Sequence, residues 1–242
     1  MPEWYSRDVS IVSSVCDRYQ RLRMSALFSM LQEASITDVE LAGLTRDKTL
    51  DRGLLWVISR IKVDMTRPIR YGETVTISTI AGERAHMVFP RYYRITDREG
   101  KEVLSGSALW LLIDETARTP IHPEDYDIEI PGVKEEGMPS LPMGLRSIEM
   151  DNAASIRKVM FSDIDLNGHV NNTRYLDWID DLFDMHFHEV TLLTSFQINY
   201  LKELSCGDQV HMYYEYNAGR YRMDGASGQE TVFSALAQVK RL

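Results

Sequence analysis

The sequence predicts an α+β protein in which one structural unit occurs twice. Each half of the chain runs in the order strand, helix and several strands, and a proline-rich stretch separates the halves. A short sequence also recurs at the same place in each half. A helix followed by consecutive strands favours a long helix wrapped by an antiparallel sheet, and the recurrence favours duplication of that unit.

The first half begins with a strand over residues 5–15 and continues with a helix over residues 24–42. Most apolar residues of the helical segment recur at intervals of three and four, which is the spacing of one helix face, and Gly43 stands where a helix commonly ends. Apolar and β-branched residues then cluster in four predicted strands, over residues 54–65, 73–80, 86–96 and 101–114.

The second half repeats this order. A short strand over residues 156–161 precedes a helix whose apolar face consists of Tyr175, Leu176, Ile179, Leu182 and Phe183. Strands are predicted over residues 190–200, 210–216, 221–223 and 231–239. The recurring sequence is Tyr-Gly-Glu-Thr-Val-Thr-Ile at residues 71–77 and Cys-Gly-Asp-Gln-Val-His-Met at residues 206–212. Both copies follow the first long strand of their half, which supports the duplication.

The stretch between the halves has the composition of a linker. Five of the eight prolines lie in residues 115–154, among glycines and scattered acidic residues. We therefore predict an N-terminal domain over residues 1–118, a linker over residues 119–154 and a C-terminal domain over residues 155–242. The alternative is a long surface loop within one domain, although such loops are uncommon.

Composition and charge describe a globular protein that does not bind nucleic acid. Hydrophobic residues make up 44% of the chain and charged residues 26%, while the net charge of −9 is opposite to the basic surplus of nucleic-acid-binding proteins. The two cysteines lie far apart, match no metal-ligand spacing and indicate a reducing compartment. No metal and no cofactor are expected. The apolar runs are too short to span a membrane and no signal peptide is visible, so we predict a cytoplasmic location.

A polar cluster dominates the start of the second half. The run is Asp165-Leu-Asn-Gly-His-Val-Asn-Asn172, in which Asp165, Asn167 and His169 occupy alternate positions. Alternate side chains of an extended segment point to the same side, so a carboxylate, an amide and an imidazole are predicted to face a common space. Asn171 and Asn172 are good N-cap residues, which places the trio ahead of a helix start with free N–H groups.

This run, together with Tyr175 and Trp178, resembles the signature of the acyl-acyl-carrier-protein thioesterases of bacteria and plants. The resemblance covers nearly the whole chain. In the first half it includes Leu31-Gln-Glu-Ala34, Leu55-Trp-Val57, Arg67-Pro, Tyr71-Gly-Glu73 and Ser107-Ala-Leu-Trp110. The resemblance implies a tandem double hotdog fold, in which each domain is a long helix wrapped by a curved antiparallel β-sheet.

The resemblance also implies hydrolysis of a fatty acyl thioester on acyl carrier protein (ACP), which releases free fatty acid and terminates fatty acid synthesis. The residues that match the family's catalytic set are Asp165, Asn167, His169 and Glu203. Many plant members have a cysteine directly after the glutamate, as a candidate nucleophile. Here Leu204 follows, and Cys206 comes two positions later. A carboxylate-based mechanism therefore fits this chain better than a cysteine nucleophile.

The residue types allow several routes to hydrolysis. Glu203 or Asp165 can hold and deprotonate a water, and His169 can share that role or protonate the leaving thiolate. Asn167 can orient the water or donate to the carbonyl, and backbone N–H groups of residues 170–172 can form an oxyanion hole. Direct attack by Asp165 to give a mixed anhydride is also open.

Substrate binding is predicted in two places. The family places the acyl chain in an apolar slot between the helix and the sheet of the N-terminal domain, and backbone groups at the second-half helix start are expected to contact the carbonyl. The predicted substrate-binding residues are Met24, Leu27, Met30, Leu31, Trp56, Val170 and Asn171. The alternative is that the apolar members are ordinary core residues.

ACP is acidic, so a basic docking patch is expected despite the overall charge. The candidates are Arg157, Lys158, Lys202, Arg220 and Arg222, or else Arg18, Arg21 and Arg23. ACP is the expected partner, with no nucleic acid and no membrane span, and a homodimer is left open.

Two other functions stand beside this one. An acyl-CoA thioesterase needs pockets for the adenine and its phosphates, but no phosphate-cradling glycine-rich loop stands out. A non-catalytic acyl-binding hotdog protein would keep all of its function in Asp165→Ala and Glu203→Ala variants.

Overall fold

A computed structural model describes residues 3–134 and 136–242 and confirms the α+β fold. The first half contains β1 (Tyr5–Ser10), α1 (Met24–Leu41), β2 (Leu54–Met65), β3 (Thr74–Ala81), β4 (Val88–Thr96) and β5 (Glu102–Asp114). The second half contains β6 (Ser155–Lys158), α2 (Arg174–Asp180), α3 (Met185–Val190), β7 (Thr191–Tyr200), β8 (Gln209–Asn217), β9 (Arg220–Ser227) and β10 (Glu230–Arg241). None of the helices in the described ranges is long and apolar enough to cross a membrane.

All ten strands form one antiparallel sheet, in the order β1-β3-β4-β5-β2-β7-β10-β9-β8-β6. Read from its outer edge inward, the first half has the order β1-β3-β4-β5-β2 and the second half has the order β6-β8-β9-β10-β7. The second order is the first with five added to each strand number. The halves join where β2 pairs with β7, from Arg60 opposite Asn199 to Asp64 opposite Ser195. The sheet therefore has the repeated order that duplication of one unit predicts.

Helix α1 buries one face, as its apolar spacing predicts. The buried positions are Met24, Leu27, Phe28, Leu31, Ala34 and Ser35. The Ser35 hydroxyl donates to the carbonyl of Leu31 (2.8 Å) and lies 2.9 Å from the hydroxyl of Tyr93 on β4. The only polar member of this face is thus hydrogen-bonded, which avoids the penalty for a buried polar group without a partner.

The helical segment of the second half is divided. Helix α2 has seven residues and α3 has six, and the Asp184 carboxylate caps α3 by accepting a hydrogen bond from the N–H of Phe187 (2.8 Å). The prediction of one helix through Phe183 is therefore wrong, because Leu182 and Phe183 lie in the connection that ends at this cap.

Residues 119–154 cross from the first half to the second and are attached to the sheet along the way. The Ser107 hydroxyl on β5 donates to the carbonyl of Ser140 (2.8 Å), and Gln197 Nε2 on β7 donates to the carbonyl of Met143 (2.6 Å). The segment is thus packed against strands of both halves. The division of the chain into two domains and a linker stays a prediction.

Candidate active site

The segment that carries Asp165, Asn167 and His169 is a tight turn, so the prediction of an extended segment is wrong. The N–H of Asp165 donates to the carbonyl of His169 (2.8 Å), and the N–H of Gly168 donates to the carbonyl of Asp165 (3.1 Å). Gly168 has a φ of +80°, which glycine adopts without steric cost. The Asp165 carboxylate accepts the N–H of Asn167 (2.8 Å), as aspartate does in turns.

A backbone contact holds a second segment against this turn. The N–H of Val170 donates to the carbonyl of Leu204 (2.9 Å), and both side chains are buried. His169 directly precedes Val170, and Glu203 directly precedes Leu204. Their side chains meet, with His169 Nε2 at 3.6 Å from Glu203 Oε2. Two predicted catalytic residues from distant parts of the chain are therefore brought together.

Arg118 from the first half completes this cluster. Its Nη2 lies 3.3 Å from His169 Nδ1, and its Nη1 lies 3.5 Å from Glu203 Oε1. The guanidinium can only donate, so contact with Nδ1 favours the tautomer whose proton is on Nε2, facing the carboxylate. All three side chains are partly exposed, at 24% for His169, 32% for Arg118 and 42% for Glu203, so a substrate can reach them.

Sequence reasoning missed Arg118. It follows β5 in a turn where the Asp114 carboxylate accepts the N–H groups of Thr116 (2.8 Å) and Ala117 (2.6 Å). Arg118 has a φ of +55°, a strained value for a residue other than glycine and one that recurs at functional sites. The available sequence signal was the aspartate that starts the turn, since a single arginine forms no pattern.

Tyr175 lies close to both candidate carboxylates. Burial, followed by the charges of Glu203 and Asp165, raises the pKa of its phenol. Its ring packs against those of Trp178 and Tyr200, with centroids 5.1 and 5.6 Å apart. The charges of Glu203 and Asp165 therefore both bear on the phenol of Tyr175, although the Asp165 carboxylate is engaged in its own turn.

The expectation that the N–H groups of Val170 and Asn171 are free to bind an oxyanion is wrong. Val170 donates to Leu204, as described above, and the N–H of Asn171 donates to the carbonyl of Asp163 (2.9 Å). Helix α2 also begins later than predicted, so Asn171 instead accepts the N–H of Thr173 through its Oδ1 (2.9 Å). Backbone carbonyls of other segments therefore occupy both N–H groups before a substrate arrives.

A cavity of about 900 Å³ lies between the halves. Met24 and Leu27 line it, and much of its remaining apolar wall belongs to the second half, including Leu176, Phe196 and Met223. The acyl slot was expected within the N-terminal domain, so the assignment of these two residues to substrate binding stays a prediction. The other predicted acyl-binding residues pack in or against the core and are Met30, Leu31 and Trp56.

Asp180 lines this cavity, and its carboxyl group is expected to make the stability of the fold depend on pH. Burial raises the pKa of its carboxyl to about 6, which His188 opposes and Asp177 and Asp181 reinforce. The unfolded value is ~3.9, so the folded protein binds the proton more tightly. The contribution of this group to the free energy of unfolding therefore falls as pH rises from ~4 to ~6 and stays low above that range.

Asp180→Asn removes this ionisation. The variant is expected to have a free energy of unfolding about 2 kcal/mol above that of the wild type at pH 7, and almost no gain near pH 4. Urea unfolding at the two pH values measures this difference. Asp151→Asn, at an exposed aspartate, is the control. An equal gain for Asp180→Asn at both pH values would contradict the prediction.

The cysteines lie outside the His169 cluster. Cys16 is buried and its thiol contacts the carbonyl of Val12 (3.4 Å), while Cys206 is exposed with its sulfur 3.9 Å from the carbonyl of Val159. Within residues 3–134 and 136–242, no group of three side chains has the composition and spacing of a metal site.

Comparison with known families identifies both halves of the chain. The model of the acyl-ACP thioesterase N-terminal domain matches residues 2–128. The model of the acyl-ACP thioesterase C-terminal domain matches residues 147–238. A curated relative, the chloroplastic palmitoyl-acyl carrier protein thioesterase of Cuphea hookeriana, is 28% identical over 202 residues, which is 76% of this chain and 47% of the relative. The chain thus spans about half the length of the curated relatives it matches.

Two solved structures superpose on nearly the whole chain and confirm the tandem double hotdog fold. An acyl-ACP thioesterase from Bacteroides thetaiotaomicron has a TM-score of 0.85 at 20% identity, covering 98% of both chains. The 12:0-ACP thioesterase from Umbellularia californica has a TM-score of 0.84 at 20% identity, covering 99% of this chain and 98% of the other.

Proposed function

Because this chain belongs to the acyl-ACP thioesterase family, we propose that it hydrolyses fatty acyl-ACP and releases the free fatty acid. The observation that carries the proposal is the contact of His169 with Glu203 (3.6 Å) beside Arg118. An imidazole and a carboxylate in contact at a partly exposed position supply the proton transfers that thioester hydrolysis requires.

The proposed reaction is attack by water on the thioester carbon. The oxygen of the water bonds to the carbon, and its proton passes to the His169–Glu203 pair. The C–S bond then breaks, and the pair returns the proton to the departing sulfur as the thiol forms. One pair thus acts as base and then as acid, which is how positioned side chains assist both halves of an acyl transfer.

Arg118 acts in this proposal as a positioning residue. Its two terminal nitrogens contact the imidazole and the carboxylate separately (3.3 and 3.5 Å), so it holds both in one arrangement. A planar guanidinium presents donors in a fixed fork, which suits this bridging role better than the single ammonium group of a lysine.

Asp165 and Asn167 have different parts in the proposal. Asp165 shapes the turn, because its carboxylate already accepts the N–H of Asn167 (2.8 Å), and this favours water attack over direct attack by Asp165. Asn167 is exposed, and among the described residues its side-chain amide has no hydrogen-bond partner. That amide is free to orient the water or to donate to the thioester oxygen.

ACP is proposed to dock near Lys202. This residue precedes Glu203, is half exposed and pairs with Glu230, so an acidic carrier that binds there brings its thioester towards His169. Among the other candidates, Arg157 pairs with Asp181 (2.8 Å) at the surface. A homodimer and a cytoplasmic location stay predictions.

The test is a comparison of carriers. Thiol release is measured for a series of acyl-ACP substrates of increasing chain length and for the same acyl groups on CoA. Faster turnover of the ACP esters is expected. Faster turnover of the CoA esters would favour an acyl-CoA thioesterase, and binding of acyl-ACP without thiol release would favour a non-catalytic acyl-binding protein.

A further inference from the structure

The first half contains a second copy of the turn that carries His169. The N–H of Asp17 donates to the carbonyl of Arg21 at 2.8 Å, the same distance as between Asp165 and His169. The carboxylates of Asp17 and Asp165 each accept the N–H two residues later, both at 2.8 Å. The residue before Arg21 and the residue before His169 both have left-handed φ values, of +60° and +80°. The two turns are therefore built alike.

The contact that anchors each turn is repeated as well. The N–H of Leu22 donates to the carbonyl of Ile69 (2.8 Å), just as that of Val170 donates to the carbonyl of Leu204 (2.9 Å). Arg21 precedes Leu22, and Pro68 precedes Ile69. Arg21 and Pro68 are therefore the first-half counterparts of His169 and Glu203, the proposed catalytic pair. Neither is a general base at neutral pH, so this copy presents a cation in place of an acid–base pair.

The cavity of about 900 Å³ opens at this first-half turn. Its lining includes Asp17, Tyr19 and Arg21 with apolar side chains of both halves, and it includes neither His169 nor Glu203. Its volume falls in the range of small-molecule pockets, ~300–1,000 Å³. It is therefore a pocket distinct from the proposed active site.

Arg21 is held rigidly at the polar end of this cavity. Its Nη1 donates to the carbonyls of His188 (2.9 Å) and Thr191 (3.0 Å), and its guanidinium lies 5.0 Å from the centre of the Tyr19 ring. Its Nε is buried without a hydrogen-bond partner among the described residues. This N–H is closed to the cavity, so an anion that binds there has the Nη2 donors of Arg21 as its partners.

Acidic side chains also line the cavity, but most are engaged elsewhere. Asp177 pairs with Arg174 (3.1 Å), Asp181 pairs with Arg157 (2.8 Å), and Asp184 caps α3. Arg21, by contrast, forms no salt bridge within the part of the chain that the structure describes. Asp17 accepts the backbone N–H groups of Tyr19 and Arg21 (both 2.8 Å), and burial favours the neutral form of Asp180, so the Arg21 guanidinium remains available to an anionic group.

We propose that this cavity is a second, non-catalytic binding site for a long-chain carboxylate. The carboxylate contacts Arg21 through the two donors of Nη2, which form no hydrogen bond among the described residues. The hydrocarbon chain lies along the apolar wall that includes Leu176, Phe196 and Met223. The class of ligand follows from the cavity alone, so the proposal stands or falls independently of the proposed hydrolysis.

The test is a titration of sodium dodecanoate, below its micellar concentration, followed by calorimetry. An Arg118→Gly background removes the cation of the proposed active site. One site per chain is expected there. Adding Arg21→Met is expected to weaken binding about 10- to 100-fold, and Leu193→Trp, which places a larger ring in the lining, is expected to abolish it. Arg94→Met, at an arginine paired with Glu102 (3.1 Å) on the sheet surface, is the matched control and is expected to bind like the background.

Two further measurements make the outcome decisive. 1-Dodecanol has the same chain without the charge and is expected to bind at least tenfold more weakly than dodecanoate. Circular dichroism verifies that each variant is folded. Absence of saturable binding in the background protein, or equal affinity in folded Arg21→Met, would overturn the proposal, as would a crystal structure with dodecanoate bound outside this cavity.

Discussion

Glu203→Gln is expected to lower kcat by about 10²- to 10⁴-fold, the range that a general acid or base contributes. The amide keeps the size of the side chain but cannot accept a proton from water. KM is expected to change little, because Glu203 acts on the water rather than on the acyl chain. Steady-state hydrolysis of acyl-ACP, with binding measured separately, separates the two effects.

The double variant tests whether Glu203 and His169 act as one unit. Residues that share a proton-transfer step are strongly non-additive, so Glu203→Gln with His169→Ala is expected to be little slower than the slower single variant. Glu215→Gln is a matched control, since this glutamate is similarly exposed and pairs with Arg222 (2.9 Å). Wild-type kcat in the Glu203→Gln variant would show that the carboxylate takes no part in the reaction.

Arg118→Gly is expected to lower kcat about 10- to 100-fold while the protein stays folded. The loss corresponds to one hydrogen bond from a charged donor, of ~1.5–3 kcal/mol. Glycine accepts the φ of +55° at this position, so the turn keeps its shape while the guanidinium is removed. The variant is therefore expected to lose activity but to keep the stability of the fold. Replacing an arginine with only a structural role would lower the stability as well.

Chemical rescue makes this experiment specific. Guanidinium ion added at low millimolar concentration can occupy the vacated space beside His169 and is expected to restore part of the kcat of Arg118→Gly. Ala218→Gly is the matched control, because Ala218 also has a left-handed φ, of +48°, in the connection between β8 and β9. It is expected to show wild-type kcat and no rescue. Unchanged kcat in Arg118→Gly would refute the positioning role.

The sequence predicted those parts of the fold that short-range periodicity controls. Helix α1 and strand β2 occur at the predicted places, Met24–Leu41 and Leu54–Met65, because each buries one face and so repeats apolar residues with its own period. The order of elements also revealed the duplication. Helix ends were harder to predict: α2 ends at Asp180, and the apolar spacing that continues to Phe183 does not show this end.

The candidate site was predictable only in part. His169 and Glu203 were identified by resemblance, yet their contact depends on the pairing of Val170 with Leu204. Arg118 was missed because a long-range contact leaves no period in the sequence. The copy of the turn at Asp17 was missed because a hydrogen-bonded turn depends on backbone angles, which different side chains can share.

The sequence by itself determined the α+β class, the repeated order of elements and the residue types of the proposed catalytic pair. The class and the order follow from burial, which acts on each residue and its near neighbours, whereas the pair follows from the resemblance to the family. Only the tertiary structure decided that Arg118 joins His169 and Glu203, and that Arg21 faces a cavity between the two halves. Such contacts form between segments that are distant in sequence, so packing of the whole chain decides them.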